Sequence, residues 1–185
     1  IGMLYHYNGE WEKSNEALTE AEYAIEELYT ESVSKAAASL LLNDNAKDYS
    51  GEDYEDIYLN VIKALNYLHL GLYDDAFVEV RRINIKLNML EDKYKDLAAE
   101  YNKSDEADAN LDIGENTFHN SALARYMSLL LFRADGEWDD AEIDKNYLID
   151  AFQLQSHIYN FPAPNMDRYL EPSENAKVNF ICFSG

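Results

Sequence analysis

The sequence predicts an all-α chain built from antiparallel helical hairpins with inserted loops. Three observations carry this. Only 3 prolines and 7 glycines interrupt 185 residues, too few breakers for a fold of many short strands. Apolar residues recur at helical spacing, as in Ala17, Ala21, Ala24, Ile25 and Leu28. Three segments also share one pattern. Tyr5 to Trp11, Tyr67 to Tyr73 and Phe132 to Trp138 each read aromatic, three residues, then Gly-x-aromatic, with a small residue three further on at Ser14, Ala76 and Ala141.

The elements follow in order. Residues 1–8 read as the end of a helix, 11–29 as an amphipathic helix and 32–43 as a third, rich in Ala and Leu. Asn43 to Asp53 collects Asn, Asp, Ser and Gly and reads as a loop. The run Gly51-Glu52-Asp53-Tyr54-Glu55 places carboxylates at the positive end of a helix over 54–70. A long helix covers Asp74 to about Glu100, and Lys103 to Glu115 is an acidic loop. Residues 117–134 and 138–157 form the last hairpin, which Phe161-Pro162-Ala163-Pro164 ends. Asn165 to Leu170 adds a short turn of helix, and Val178 to Phe183 is a β-prone run. The chain divides into a helical domain, 1–160, and a C-terminal extension, 161–185. Both ends are expected to continue into further chain.

Each Gly-x-aromatic motif has a packing reason. Gly9, Gly71 and Gly136 can take positive φ where a helix must end abruptly. Trp11, Tyr73 and Trp138 are expected to open the second helix and fill the wedge between the two. Ser14, Ala76 and Ala141 let the helices approach closely. Gly2, Ala64 and Leu129 stand seven residues before the turn glycines, and two of them are small, as a close crossing requires.

These spacings resemble the tetratricopeptide repeat. The third motif departs most, with Leu129 and Lys145 where small or apolar residues are usual, and the proline that often ends such a repeat is absent. The turn glycines stand 62 and 65 residues apart, so the resemblance implies an irregular α–α superhelix, not a regular solenoid. Residues 51–88, with Gly51-Glu52-Asp53-Tyr54-Glu55, Ala64-Leu65-Asn66-Tyr67-Leu68 and Val78-Glu79-Val80-Arg81-Arg82, resemble a family of bacterial envelope proteins, predicted lipoproteins with such repeats. The stretches Ala124 to Leu130 and Gly136 to Ala141 resemble the same family. The resemblance implies a periplasmic location in the cell envelope and a lipid anchor upstream of Ile1. It implies no activity.

Charge and motif content narrow the function classes. The net charge is −21, which argues against nucleic acid and anionic lipid as partners and reads as a solvated acidic surface or as one suited to a basic partner. The lone Cys182 excludes an internal disulfide. No apolar stretch approaches the roughly 20 residues of a membrane span, and no signal peptide is visible. Asp108-Ala-Asn110-Leu-Asp112-Ile-Gly114 opens like a calcium loop, but Ile113 and His119 stand where glycine and glutamate are required. His6, His69, His119 and His157 are scattered, and the first two are expected to pack near turns. No cofactor or metal is implied, and no nucleophile or phosphate-cradling motif appears.

The function expected is therefore protein–protein interaction, without catalysis. The alternative is a small-molecule or glycan receptor using some of the 15 tyrosines in a pocket between helices; an enzyme is the third possibility. The candidate partner-binding residues are Tyr67, Glu79, Arg81 and Arg82. Glu79 and Arg82 are three apart and can pair on a helix surface, or Arg81 and Arg82 can anchor an acidic group.

Overall fold

The computed structural model describes residues 1–39, 52–101, 120–171, 173–175 and 177–181. Among these residues seven helices follow in order: α1 Gly2–Tyr7, α2 Trp11–Ser39, α3 Asp53–Leu70, α4 Tyr73–Tyr101, α5 Ala122–Asp135, α6 Trp138–Leu154 and α7 Asp167–Leu170. The chain is all-α among the described residues. The loop expected over 43–53, the acidic loop over 103–115, the calcium-like segment, His119 and Cys182 lie, wholly or almost so, outside the described residues.

The three Gly-x-aromatic turns are built alike. Gly9, Gly71 and Gly136 have φ of 73°, 72° and 84°. The glycine N–H donates to the carbonyl three residues back, at His6, Leu68 and Arg133. The next N–H donates to the carbonyl of the aromatic residue that opens the motif, Tyr5, Tyr67 or Phe132, at 2.9 Å in each case. This paired closure satisfies carbonyls that a helix end leaves without partners. Three hairpins result: α1–α2, α3–α4 and α5–α6. Within each hairpin the helices approach closely, because Ser14, Ala76 and Ala141 are all fully buried. At Gly2 a Cβ would stand 2.6 Å from the Leu18 side chain.

Four expectations need correction. Residues 11–39 form one helix, not two, because no glycine or proline interrupts them. α5 begins at Ala122 and not at 117: Ser121 is extended and its hydroxyl caps the helix by accepting from the Ala124 N–H. Tyr73 and Trp138 do not fill the wedges. They sit at the first position of their helices, 63% and 45% exposed, and the small residues three further on occupy the wedge instead. Trp11 alone of the three packs inward, stacking on His69 at 4.1 Å. The described part of the β-prone run, 178–181, belongs to no strand, and no strand to pair with it occurs among the described residues.

The hairpins stack by repeating the same contacts. α2 packs on α3 and α4 on α5, and the first helices touch one another, α1 with α3 and α3 with α5. Leu18 of α2 meets Leu59 and Ile62 of α3. At the next junction Ile57, Val61, Ile83 and Leu87 of the second hairpin meet Ala124 and Met127 of α5. Leu59 and Ala124 hold the same place, twelve residues before their turn glycines, and Ile62 and Met127 hold the next, nine residues before.

Candidate functional site

Polar side chains are buried at both junctions, again at matching places. At the first, Glu22 of α2, Asn60 and Lys63 of α3 and Glu79 of α4 come together. Lys63 Nζ lies 2.9 Å from Glu22 and 3.1 Å from Glu79. Asn60 donates to both carboxylates, at 2.8 and 2.7 Å. Arg82 and Lys86 approach from the outside, and Lys86 also meets Asp56 at 2.6 Å. Three carboxylates thus face three cations. Burial pushes the Glu22 carboxyl up, but the hydrogen bonds from Lys86, Lys63 and Asn60 outweigh it and hold the group down at about 2.

At the second junction, Asn84, Arg125, Ser128 and Asp144 occupy the corresponding four positions. Arg125 reaches Asp144 at 3.1 Å, Asn84 at 2.8 Å and Asn120 at 3.2 Å, and lies over the Tyr147 ring. Ser128 bonds Asp144 and accepts from Asn84. Burial raises the Asp144 carboxyl, against the hydrogen bond from Ser128 and the charge of Arg125.

A smaller network ties α1 and α2 to α3. Asn66 is fully buried; it donates to Ser14 and Asn15, and its Oδ1 is 2.6 Å from His6 Nδ1. His6 thus packs beside its own turn, as expected, whereas His69, two residues before Gly71, is exposed and stacks across on Trp11 of the first turn.

The site presented to solvent is different. A cleft of about 470 Å³ opens between α2 and the α3–α4 turn. Glu12, Glu16 and Glu20, four residues apart on α2, line one wall with Asn15 and Thr19; Tyr67, Leu70 and Leu72 supply the apolar part. The three glutamates are exposed, and none forms an ion pair with a described residue. Like charges at this spacing repel by a few tenths of a kcal/mol per pair, so an added cation is favoured here. Burial pushes the Tyr67 phenol up, and nearby Glu79 adds to this, so Tyr67 stays neutral beside the glutamates.

Of the residues singled out in the sequence, Tyr67 lines this cleft. Glu79 does not face a partner, because it is 3% exposed and held by Lys63 and Asn60. Its pairing with Arg82, at 3.3 Å, exists but is anchored in the interior, and the Arg82 side chain is 47% exposed. Arg81 is exposed on α4 and does not line the cleft. The glutamate row passed unnoticed because carboxylates are abundant throughout; its regular spacing of four was the available signal. Among the described residues, no three His, Cys, Asp or Glu side chains converge as a metal site, and no helix is long and apolar enough to cross a membrane.

No family model, curated protein or solved structure matches this chain. What the cleft can hold follows from its own side chains.

Proposed function

We propose that this chain is a non-catalytic interaction scaffold, a tetratricopeptide-like stack of hairpins whose acidic cleft takes a basic segment of a protein partner. The observation that carries this reading is the row Glu12, Glu16, Glu20 facing Tyr67, Leu70 and Leu72 across an open cleft. A lysine or arginine can lay its aliphatic stem on the apolar residues and set its cation in the glutamate row. The cleft is open, which suits an extended segment better than an enclosed small molecule. The buried carboxylates Glu22, Glu79 and Asp144 do not line it, so they lend no support to catalysis there. The resemblance to envelope proteins makes the periplasm the compartment proposed.

Each exposed pair contributes about 0.2–1 kcal/mol, so binding to a short peptide is weak and salt-dependent. The test is fluorescence anisotropy with a labelled lysine-rich peptide at low and high salt. The natural chain should bind it with affinity that falls as salt rises. A triple variant, E12Q/E16Q/E20Q, should lose most of that binding while keeping its circular dichroism. Equal binding by the natural chain and the variant would rule out the cleft.

A further inference from the structure

The far side of the α5–α6 hairpin is covered by the chain's own C-terminal segment, and the covering follows the same rule as the helix junctions. In the second hairpin, Ile57, Val61, Ile83 and Leu87 receive Ala124 and Met127 from the next first helix. In the third hairpin the corresponding places hold Ala122, Tyr126, Leu148 and Phe152, and these pack with Met166 and Tyr159. Leu170 packs on the cluster that includes Phe132 and Ala141.

Polar contacts complete the cover. Tyr159 Oη accepts from the Ala122 N–H at 3.0 Å, and Asn179 meets the Tyr126 hydroxyl at 3.3 Å. Lys145 of α6 pairs with Asp167 at 3.1 Å.

This cover is a poor substitute for a helix. Where α3 sits on the first hairpin, it buries Leu59, Asn60, Ile62, Lys63 and Asn66. Among the residues of 159–181 whose side chains the structure describes, Met166 alone is buried. Phe161, Val178 and Phe180 are 57%, 73% and 87% exposed. Apart from the four-residue α7, the described part of the segment has no helical ladder of its own.

We infer that the outer face of α5–α6 is a second interaction surface, taking an amphipathic helix of a partner protein, and that Tyr159, Met166, Asp167, Leu170 and Asn179 of the C-terminal segment occupy it as a displaceable stand-in. The fitting helix presents two apolar residues three apart, as Leu59 and Ile62 do on the first hairpin. It also carries a carboxylate for Lys145, which now takes Asp167. This surface shares no residue with the lining of the acidic cleft.

The experiment uses the full chain and a labelled synthetic peptide of residues 53–70, which carries the Leu59–Ile62 pair and an acidic first turn. Met166→Asp removes the buried anchor of the cover. Asp167→Lys sets a like charge against Lys145 at an exposed position and leaves the hairpins untouched. Met166→Asp should bind the peptide at least tenfold more tightly than the natural chain and Asp167→Lys about two- to fivefold, and amide exchange should slow in α5 and α6 on binding. Should Met166→Asp lose its helical signal, Asp167→Lys decides alone. The inference is overturned if a folded Asp167→Lys variant binds no better than the natural chain. It is overturned equally if no protein binds the peptide, or if protection falls on α2 instead of α5–α6.

Discussion

Lys63 on α3 lies 2.9 Å from Glu22 on α2 and is 1% exposed, so a buried ion pair joins the first hairpin to the second. The same lysine meets Glu79 of its own hairpin at 3.1 Å. One ammonium thus holds two buried carboxylates.

Replacing Lys63 with Ala leaves Glu22 and Glu79 buried and short of a cation, with only Arg82 and Lys86 at the rim to compensate. Breaking a buried pair from one side costs about 3–5 kcal/mol. Urea denaturation should place Lys63→Ala at about 3 kcal/mol below the natural chain. A loss under 1 kcal/mol would mean that water or the rim cations already satisfy these carboxylates.

Acid should weaken the same junction. The folded Glu22 carboxyl is held at about 2, below its ordinary 4.5. A depressed carboxyl contributes stability that is fully present above its unfolded value and is lost as pH falls through the folded one. Stability should therefore drop between pH 4.5 and 2. Asp144 acts in the opposite sense, because burial raises its carboxyl and acid relieves part of that cost. Glu22→Gln should be less stable at pH 7 and should show a flatter acid limb. An unchanged slope would remove Glu22 as the group responsible.

Arg125→Lys separates geometry from charge. The guanidinium serves Asp144, Asn84 and Asn120 at once and lies over Tyr147. A lysine ammonium cannot span that fork. The variant should lose about 2 kcal/mol, in line with leaving buried polar groups without partners. Thermal melts that coincide with the natural chain would contradict this.

Two glycines should fail for different reasons. At Gly71 a Cβ meets nothing within 4 Å, but φ is +72°. Gly71→Ala therefore pays only for backbone strain, about 1 kcal/mol, and Gly71→Val more. At Gly2 the conformation is helical, but a Cβ would meet Leu18 at 2.6 Å. Gly2→Ala should push α1 away from α2, and tryptophan fluorescence from Trp11 should report the shift while the α3–α4 turn is unaffected. Identical spectra would show that Leu18 simply rotates aside.

The turns were legible because their causes are local. A glycine that must take positive φ, an aromatic four residues before it and a small residue five after it lie within ten positions of one another, and the peptide geometry does the rest. The extent of α2 is not legible in the same way, because no glycine or proline between Trp11 and Ser39 imposes a boundary and the helix runs on. Tyr73 and Trp138 were misplaced for a subtler reason. The motif says that an aromatic stands there, but the first position of a helix can face solvent once Ala76 or Ala141 has closed the wedge.

The junctions could have been glimpsed. Glu79 and Asp144 both stand eight residues past a turn glycine, and Glu22 and Asn84 both stand thirteen past. The types at matching positions differ, however: Lys63 corresponds to Ser128 and Asn60 to Arg125. In a chain with 36 acidic residues, no charge pattern marks these few as buried. The cleft is likewise made of residues from α2 and from the α3–α4 turn.

Helical class and the places where the chain doubles back are thus written in backbone preference and short-range spacing, which act over a few residues. Which carboxylates leave water, and which stay on the surface, depends on how one hairpin lies against the next. That choice is made by contacts between residues some 40 to 60 positions apart, where desolvation and charge pairing compete and sequence spacing carries no direct sign of the outcome.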